Sequence, residues 1–238
     1  MRPLSELFTE AAKRPGTGLP TRRGLLALAG AAASVPVIVG VESVFAQSAQ
    51  HTGKKAKDKR EDRREKGRER DKKRDTKVLN YALTLEHLEY AFYRDGLDEL
   101  DENDDFPEGV RARLIQIRNH EDEHVDTLTA VIESLGGNPV REAPCYNFGD
   151  AFDDGENFLA LAQVLENTGV MAYTGALARI TTKDLQTAGA TIATVEARHA
   201  AYLNIQNDDN PFPDAFDKPR SEKQIRRDLD NAGFFNCS

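Results

Sequence analysis

From residue 78 to residue 207 the chain places apolar side chains three and four apart in four successive stretches, with few of the alternating β-branched runs that mark strands. The spacing predicts an all-α domain of four helices. The first stripe runs Leu79, Leu83, Glu86, Tyr90, Tyr93, Leu97 and Leu100, so one carboxylate interrupts it. The second, starting near Asp105 and Pro107, runs Val110, Leu114, Ile117, Glu121, His124, Leu128, Val131 and Leu135 and stops at Gly136-Gly137. Roughly twenty residues with Pro139, Pro144 and Gly149 follow, a length suited to a crossover between parallel helices. The third stripe is Leu159, Ala162, Glu166, Gly169, Tyr173, Leu177 and Ile180. The fourth, with Thr182 at its capping position, is Leu185, Gly189, Ile192, Glu196, His199 and Leu203. A capping-box pair, Ser221 and Gln224, predicts a short further helix in a C-terminal extension over 208–238, expected to cover a bundle end.

The second half repeats the first. Glu166 mirrors Glu86, Glu196 and His199 mirror Glu121 and His124, and each lone Glu follows a Leu and precedes a Tyr by seven residues, Tyr93 and Tyr173. Duplication of a helical hairpin accounts for this. Residues three apart share a helix face, so each Glu-x-x-His pair can direct a carboxylate and an imidazole at one ion. All six intrusions lie in stripes where an unpaired carboxylate would cost several kcal/mol or neutralise itself. Four carboxylates and two imidazoles match the charge and donor needs of two divalent cations. The bland account is a bundle whose buried Glu and His residues bond to one another, or whose stripes are rotated toward solvent. Glu89, one turn beyond Glu86, could face the same site; because the stripe passes through Glu86, Glu89 is placed behind the metal-facing groups.

His120-Glu121-Asp122-Glu123-His124 also matches HExxH, the zinc-protease arrangement in which two His bind the ion and the Glu is general base. A stripe through His120 and His124 collects Arg113 and Thr127 and leaves Glu86, Glu166, Glu196 and His199 unexplained. His120 and His87 are therefore expected at or near the surface.

Charge changes the picture of the chain's ends. Residues 78–238 hold 13 Lys and Arg against 30 Asp and Glu, a formal −17 within an overall −8. That balance disfavours nucleic acid as a partner of the folded domain and favours cations. Thr21-Arg22-Arg23-Gly24-Leu25-Leu26 has the twin-arginine form, followed by an uncharged run over 24–41 and by Val44-Phe45-Ala46, where a signal peptidase could cut. Residues 1–46 are therefore expected to be an export signal, with an uncleaved anchor as the alternative. Residues 51–77 carry 14 basic and 7 acidic side chains and almost nothing to bury. The expectation for 47–77 is a disordered linker, with a helix laced by opposite charges or a basic tether to an acidic envelope as the other readings. Cys145 and Cys237 lie far apart in sequence and belong to no CxxC pair; in an exported protein they could bond to each other, although nothing in their spacing places them within reach.

Over residues 75–216 the chain resembles the ferritin-like superfamily, and within it the exported ferritin-like proteins of the desiccation-related group. The stretches Leu79-Asn80-Tyr81-Ala82-Leu83-Thr84-Leu85-Glu86-His87-Leu88-Glu89, Val195-Glu196-Ala197-Arg198-His199-Ala200-Ala201 and Pro211-Phe212-Pro213 with Ala215-Phe216-Asp217 carry that likeness. The resemblance implies an up-down four-helix bundle with a long crossover between helices 2 and 3. It also implies dimetal ligands at Glu86, Glu121, His124, Glu166, Glu196 and His199, holding two ions of iron or manganese. The function it implies is reaction with O₂, peroxide or ferrous iron. Tyr93 and Tyr173, two helical turns beyond Glu86 and Glu166, could donate a hydrogen bond or an electron beside the site, with plain core tyrosines as the other reading. A protective envelope protein that keeps its metal for stability alone is the alternative, and a homodimer is left open.

Overall fold

The computed structural model describes residues 46–100 and 106–236, the first twelve of these by backbone alone. Five helices and no strand occur among the described residues: α1 Ala46–Glu99, α2 Val110–Ser134, α3 Gly155–Leu177, α4 Lys183–Gln206 and α5 Glu222–Ala232. The export signal expected over 1–46 falls outside the described residues except for Ala46, and so does Cys237. Cys145 is disulfide-bonded. No helix among the described residues is long and apolar enough to cross a membrane.

The charged segment differs from the disordered linker expected of it, because it is helical from Ala46 onward. Lys, Arg and Glu are good helix formers, and opposite charges four apart support one another, as Lys66 Nζ and Asp62 Oδ2 do at 3.0 Å. Up to Glu69 this helix belongs to a separate unit, and its side chains from Asp58 to Glu69 are exposed apart from Gly67.

From Arg70 onward the chain forms the bundle. Asp75, expected in the linker, is fully buried there. Its Oδ1 accepts from Thr181 N at 2.7 Å and Thr181 Oγ1 at 2.8 Å, and its Oδ2 from Thr182 N at 3.0 Å and Thr182 Oγ1 at 2.6 Å. Thr182 stands at the N-cap of α4 as expected, but its hydroxyl makes no capping bond. A carboxylate from α1 supplies the negative charge at that helix start instead.

The buried face of α1 is wider than one stripe. Leu85, Leu88, Glu89 and Phe92 are buried together with Leu83, Glu86 and Tyr93, whereas Tyr90 is only half-buried beneath Arg94. The crossover accounts for part of this. Asn80 accepts from Val140 N at 2.6 Å and donates to Asn138 O at 3.2 Å, Arg94 pairs with Glu142 at 3.0 Å, and Phe148 and Phe152 pack on Phe92. The C-terminal segment meets α1 at Tyr81. Its capping box at Ser221 and Gln224 forms as expected, but the segment lies along the flank of the bundle rather than over an end. Arg220 N donates to Met171 O within α3 at 3.0 Å, Arg179 pairs with Glu222 at 2.6 Å, and Arg226 stacks 5.4 Å over the Tyr81 ring. Gly175 permits this approach, since a Cβ there would strike the Arg220 carbonyl.

Candidate metal centre

Each hairpin brings its lone Glu and its Glu-x-x-His pair to the middle of the bundle, where Glu86, Glu121, Glu166 and Glu196 are fully buried and His124 and His199 nearly so. The donor atoms form two overlapping sets that could each hold a metal ion: Glu86, Glu121, His124 and Glu196, and Glu121, Glu166, Glu196 and His199, with atoms inside a set no more than 4.8 Å apart. Glu121 and Glu196 belong to both. The pair shared between the sets thus comes from the Glu-x-x-His motifs, while Glu86 and Glu166 each serve one side.

The geometry around the imidazoles tests whether cations fit. His124 Nδ1 lies 3.2 Å from Glu86 Oε2, 3.1 Å from Glu121 Oε2 and 3.0 Å from Glu196 Oε1. His199 Nδ1 lies 3.0 Å from Glu121 Oε1 and 3.2 Å from Glu166 Oε2. One ring nitrogen carries one proton at most, so it cannot satisfy two or three carboxylate oxygens. Glu121 Oε1 and both oxygens of Glu196 accordingly accept no hydrogen bond although they are sealed from solvent. Converging lone pairs without donors are what a pair of cations would satisfy, and mixed carboxylate and imidazole donors suit divalent first-row metals.

Among themselves the side chains offset this charge with protons. Burial raises Glu86 to about 7 against the pull of His124. Burial, then the charges of Glu121 and Glu166, push Glu196 well above the carboxylate range. Burial opposes charge on His199, but Glu166 and Glu121 overcome it and raise the imidazole to about 11; His124 is raised in the same way by Glu86 and Glu121. Burial also works against ionised Glu121, yet His124 and His199 hold that carboxyl below its ordinary range.

The two tyrosines cross over between the halves. Tyr93 on α1 donates to Glu166 Oε1 on α3 at 2.7 Å, and Tyr173 on α3 donates to Glu86 Oε1 on α1. Each phenol, buried and raised above its usual pKa by burial and the facing carboxylate, stays a donor and fixes the orientation of a Glu from the opposite hairpin.

His120 and His124 do not converge as HExxH requires. His124 points into the cluster, while the exposed His120 stacks on His199, its Nδ1 2.9 Å from His199 Nε2. His87 is half-buried with Nε2 3.2 Å from Val140 O, holding the crossover. Glu89, by contrast, is 3% exposed and has an unpartnered Oε2.

The sequence profile of the ferritin-like domain matches residues 74–207, more than half of the chain. The chain belongs to the ferritin-like family. The match begins one residue before Asp75 and closes just beyond α4, so it takes in the whole duplicated bundle of this ferritin-like protein and leaves α5 outside. A search of curated proteins gives no match.

Proposed function

We propose that this ferritin-like protein holds two ions of iron or manganese and uses them to react with O₂, peroxide or ferrous iron, protecting an exported compartment against oxidative or desiccation stress. The observation that carries the reading is the sharing of Glu121 and Glu196 between two donor sets, each completed by its own Glu and His. A bound pair of such ions supplies two-electron redox chemistry toward O₂ or peroxide. Glu86 with His124, and Glu166 with His199, would hold one ion each, and Glu121 and Glu196 would lie between them. Tyr93 and Tyr173 orient the one-sided carboxylates, and a core that includes the buried Leu83, Leu114, Leu128 and Phe158 excludes water. His120 offers the buried His199 a hydrogen-bonded partner at the surface, a route by which a proton could reach the site.

Export rests on the twin-arginine pattern and the following uncharged run, and a route for folded cargo suits a metal-loaded bundle. The basic stretch 51–77 would then meet an acidic envelope. The reading is tested by metal analysis of protein exported by its native host, followed by ferroxidase and catalase assays. Iron or manganese with turnover of either kind supports it. Stoichiometric metal with no reaction toward O₂ or peroxide would replace it by a metal-stabilised structural protein.

A further inference from the structure

The duplication is broken at one place inside the cluster. Glu86 and Glu166 occupy equivalent positions, and so do the residues three further on, yet these are Glu89 on α1 and Gly169 on α3. The difference is spatially reciprocal. Glu89 Oε1 lies 2.9 Å from the point a Cβ at 169 would occupy, and Glu196 Oε2 lies 3.5 Å from the same point. The glycine thus leaves the opening into which α1 directs a second carboxylate, and any side chain there would displace it.

The opening belongs to one half of the centre. Glu196 Oε1 faces His124 at 3.0 Å, whereas Oε2, the oxygen beside the opening, lies 4.0 Å from His199. Glu89 comes from the helix that carries Glu86, but its Oε1 shares the opening at Gly169, on the helix that carries Glu166, with Glu196 Oε2, the oxygen of Glu196 on the His199 side. His120 also meets the ring of His199, and the position matching it in the other hairpin is Val195. Both departures from symmetry therefore fall on the same half. A group that merely filled this space would be apolar, because a buried carboxyl oxygen without a partner costs on the order of 1–3 kcal/mol.

We propose that Glu89 is a seventh metal-ligating residue, admitted by Gly169 and serving the ion of the Glu166–His199 half. The inference rests on the two-ion reading above and sharpens it: one ion draws on three glutamates and a histidine, the other on four glutamates and a histidine. The second site is harder and more negative, favours an ion of higher positive charge, and binds first.

The test is anaerobic calorimetric titration of the chelator-stripped full chain with Mn²⁺. Wild type shows two binding events of unequal affinity. Glu89→Gln weakens the tighter event at least ~10-fold and leaves the weaker one in place, the size expected when a group holding a metal site is lost. Gly169→Ala, which keeps the carboxylate but fills its space, does the same and carries the test if Glu89→Gln does not fold. Glu86→Gln weakens the other event. A purely structural Glu89 would change the melting temperature of the stripped protein and neither affinity. Titrations of Glu89→Gln and Gly169→Ala identical to wild type, with Glu86→Gln still impaired, overturn the inference and leave the two-ion centre standing. Wild type that takes up no Mn²⁺ overturns both.

Discussion

Replacing Asp75 by Ala should destabilise the bundle more than any other change in the charged stretch that precedes it. The carboxylate is fully buried and receives four hydrogen bonds of 2.6–3.0 Å, two of them from the backbone N–H groups of Thr181 and Thr182 at the start of α4. A bond to a charged acceptor is worth about 1.5–3 kcal/mol, but water can reach half-buried Thr182 and exposed Thr181 once the carboxylate is gone. Loss of a helix cap costs about 0.5–2 kcal/mol and loss of a favourable charge at a helix N-terminus about 0.3–1 kcal/mol. Because these overlap, the net effect is about 2–4 kcal/mol, or a melting temperature lower by roughly 4–16 °C for a domain of this size. Asp75→Asn keeps one accepting oxygen and turns an amide N–H₂ toward Thr N–H and O–H donors, so it should lose about half as much. Thermal unfolding followed at 222 nm on chelated protein at pH 7 measures both, with exposed Asp71→Ala as the control. If Asp75→Ala melts no lower than Asp71→Ala, the carboxylate is not what fixes the start of α4.

Other expectations concern the centre and the flank. Tyr173→Phe and Tyr93→Phe each remove the donor that orients Glu86 or Glu166, and chelator competition should find Mn²⁺ affinity lower by ~10–100-fold; unchanged affinity would show that the phenols are packing groups. In chelated protein Glu86 is raised to about 7 and His199 to about 11, so both contribute most to stability at low pH. The Glu86 contribution is complete below its ordinary value near 4.5 and lost as pH climbs through about 7, and that of His199 is complete below 6.5 and lost toward 11. The melting temperature of stripped protein should therefore fall between pH 5 and 8, while Mn²⁺ uptake releases protons and tightens over the same range; a stripped protein that gains stability across it contradicts the electrostatics. Gly175→Ala sets a methyl against the Arg220 carbonyl, costing about 1–3 kcal/mol and exposing residues 208–220 to limited proteolysis.

The six inward polar groups were legible because a carboxylate inside a heptad-like apolar stripe has few explanations, and because the hairpin repeats. The crossover was legible from its length and prolines, and α5 from its capping box. What the stripes hid was the width of the α1 core. Periodicity assigns one buried face per helix, but the crossover packs its Phe148 and Phe152 on Phe92 and the C-terminal segment sets Arg226 on Tyr81, so α1 is buried over more than one stripe. The signal for Glu89 was its pairing with Gly169 at matched positions of the repeat, a difference that has meaning only once the two helices face each other. Asp75 was lost in a run of charges, since nothing local distinguishes a carboxylate that caps a distant helix from one that meets water. The helical state of the charged segment follows from propensity and i,i+4 pairing, the charge-laced alternative that ranked behind a disordered linker because the segment has so little to bury. His120 fell within a zinc motif by spacing, while its contact with His199 joins two helices.

The sharing of Glu121 and Glu196 between two ions is the claim on which the rest depends. Metal analysis of wild type beside Glu196→Gln and Glu86→Gln, each exported from the native host and purified without refolding, tests it most directly. About two ions of iron or manganese per wild-type chain, about one in Glu86→Gln and almost none in Glu196→Gln is the predicted result. Wild type without bound metal, or Glu196→Gln retaining both ions, would contradict it.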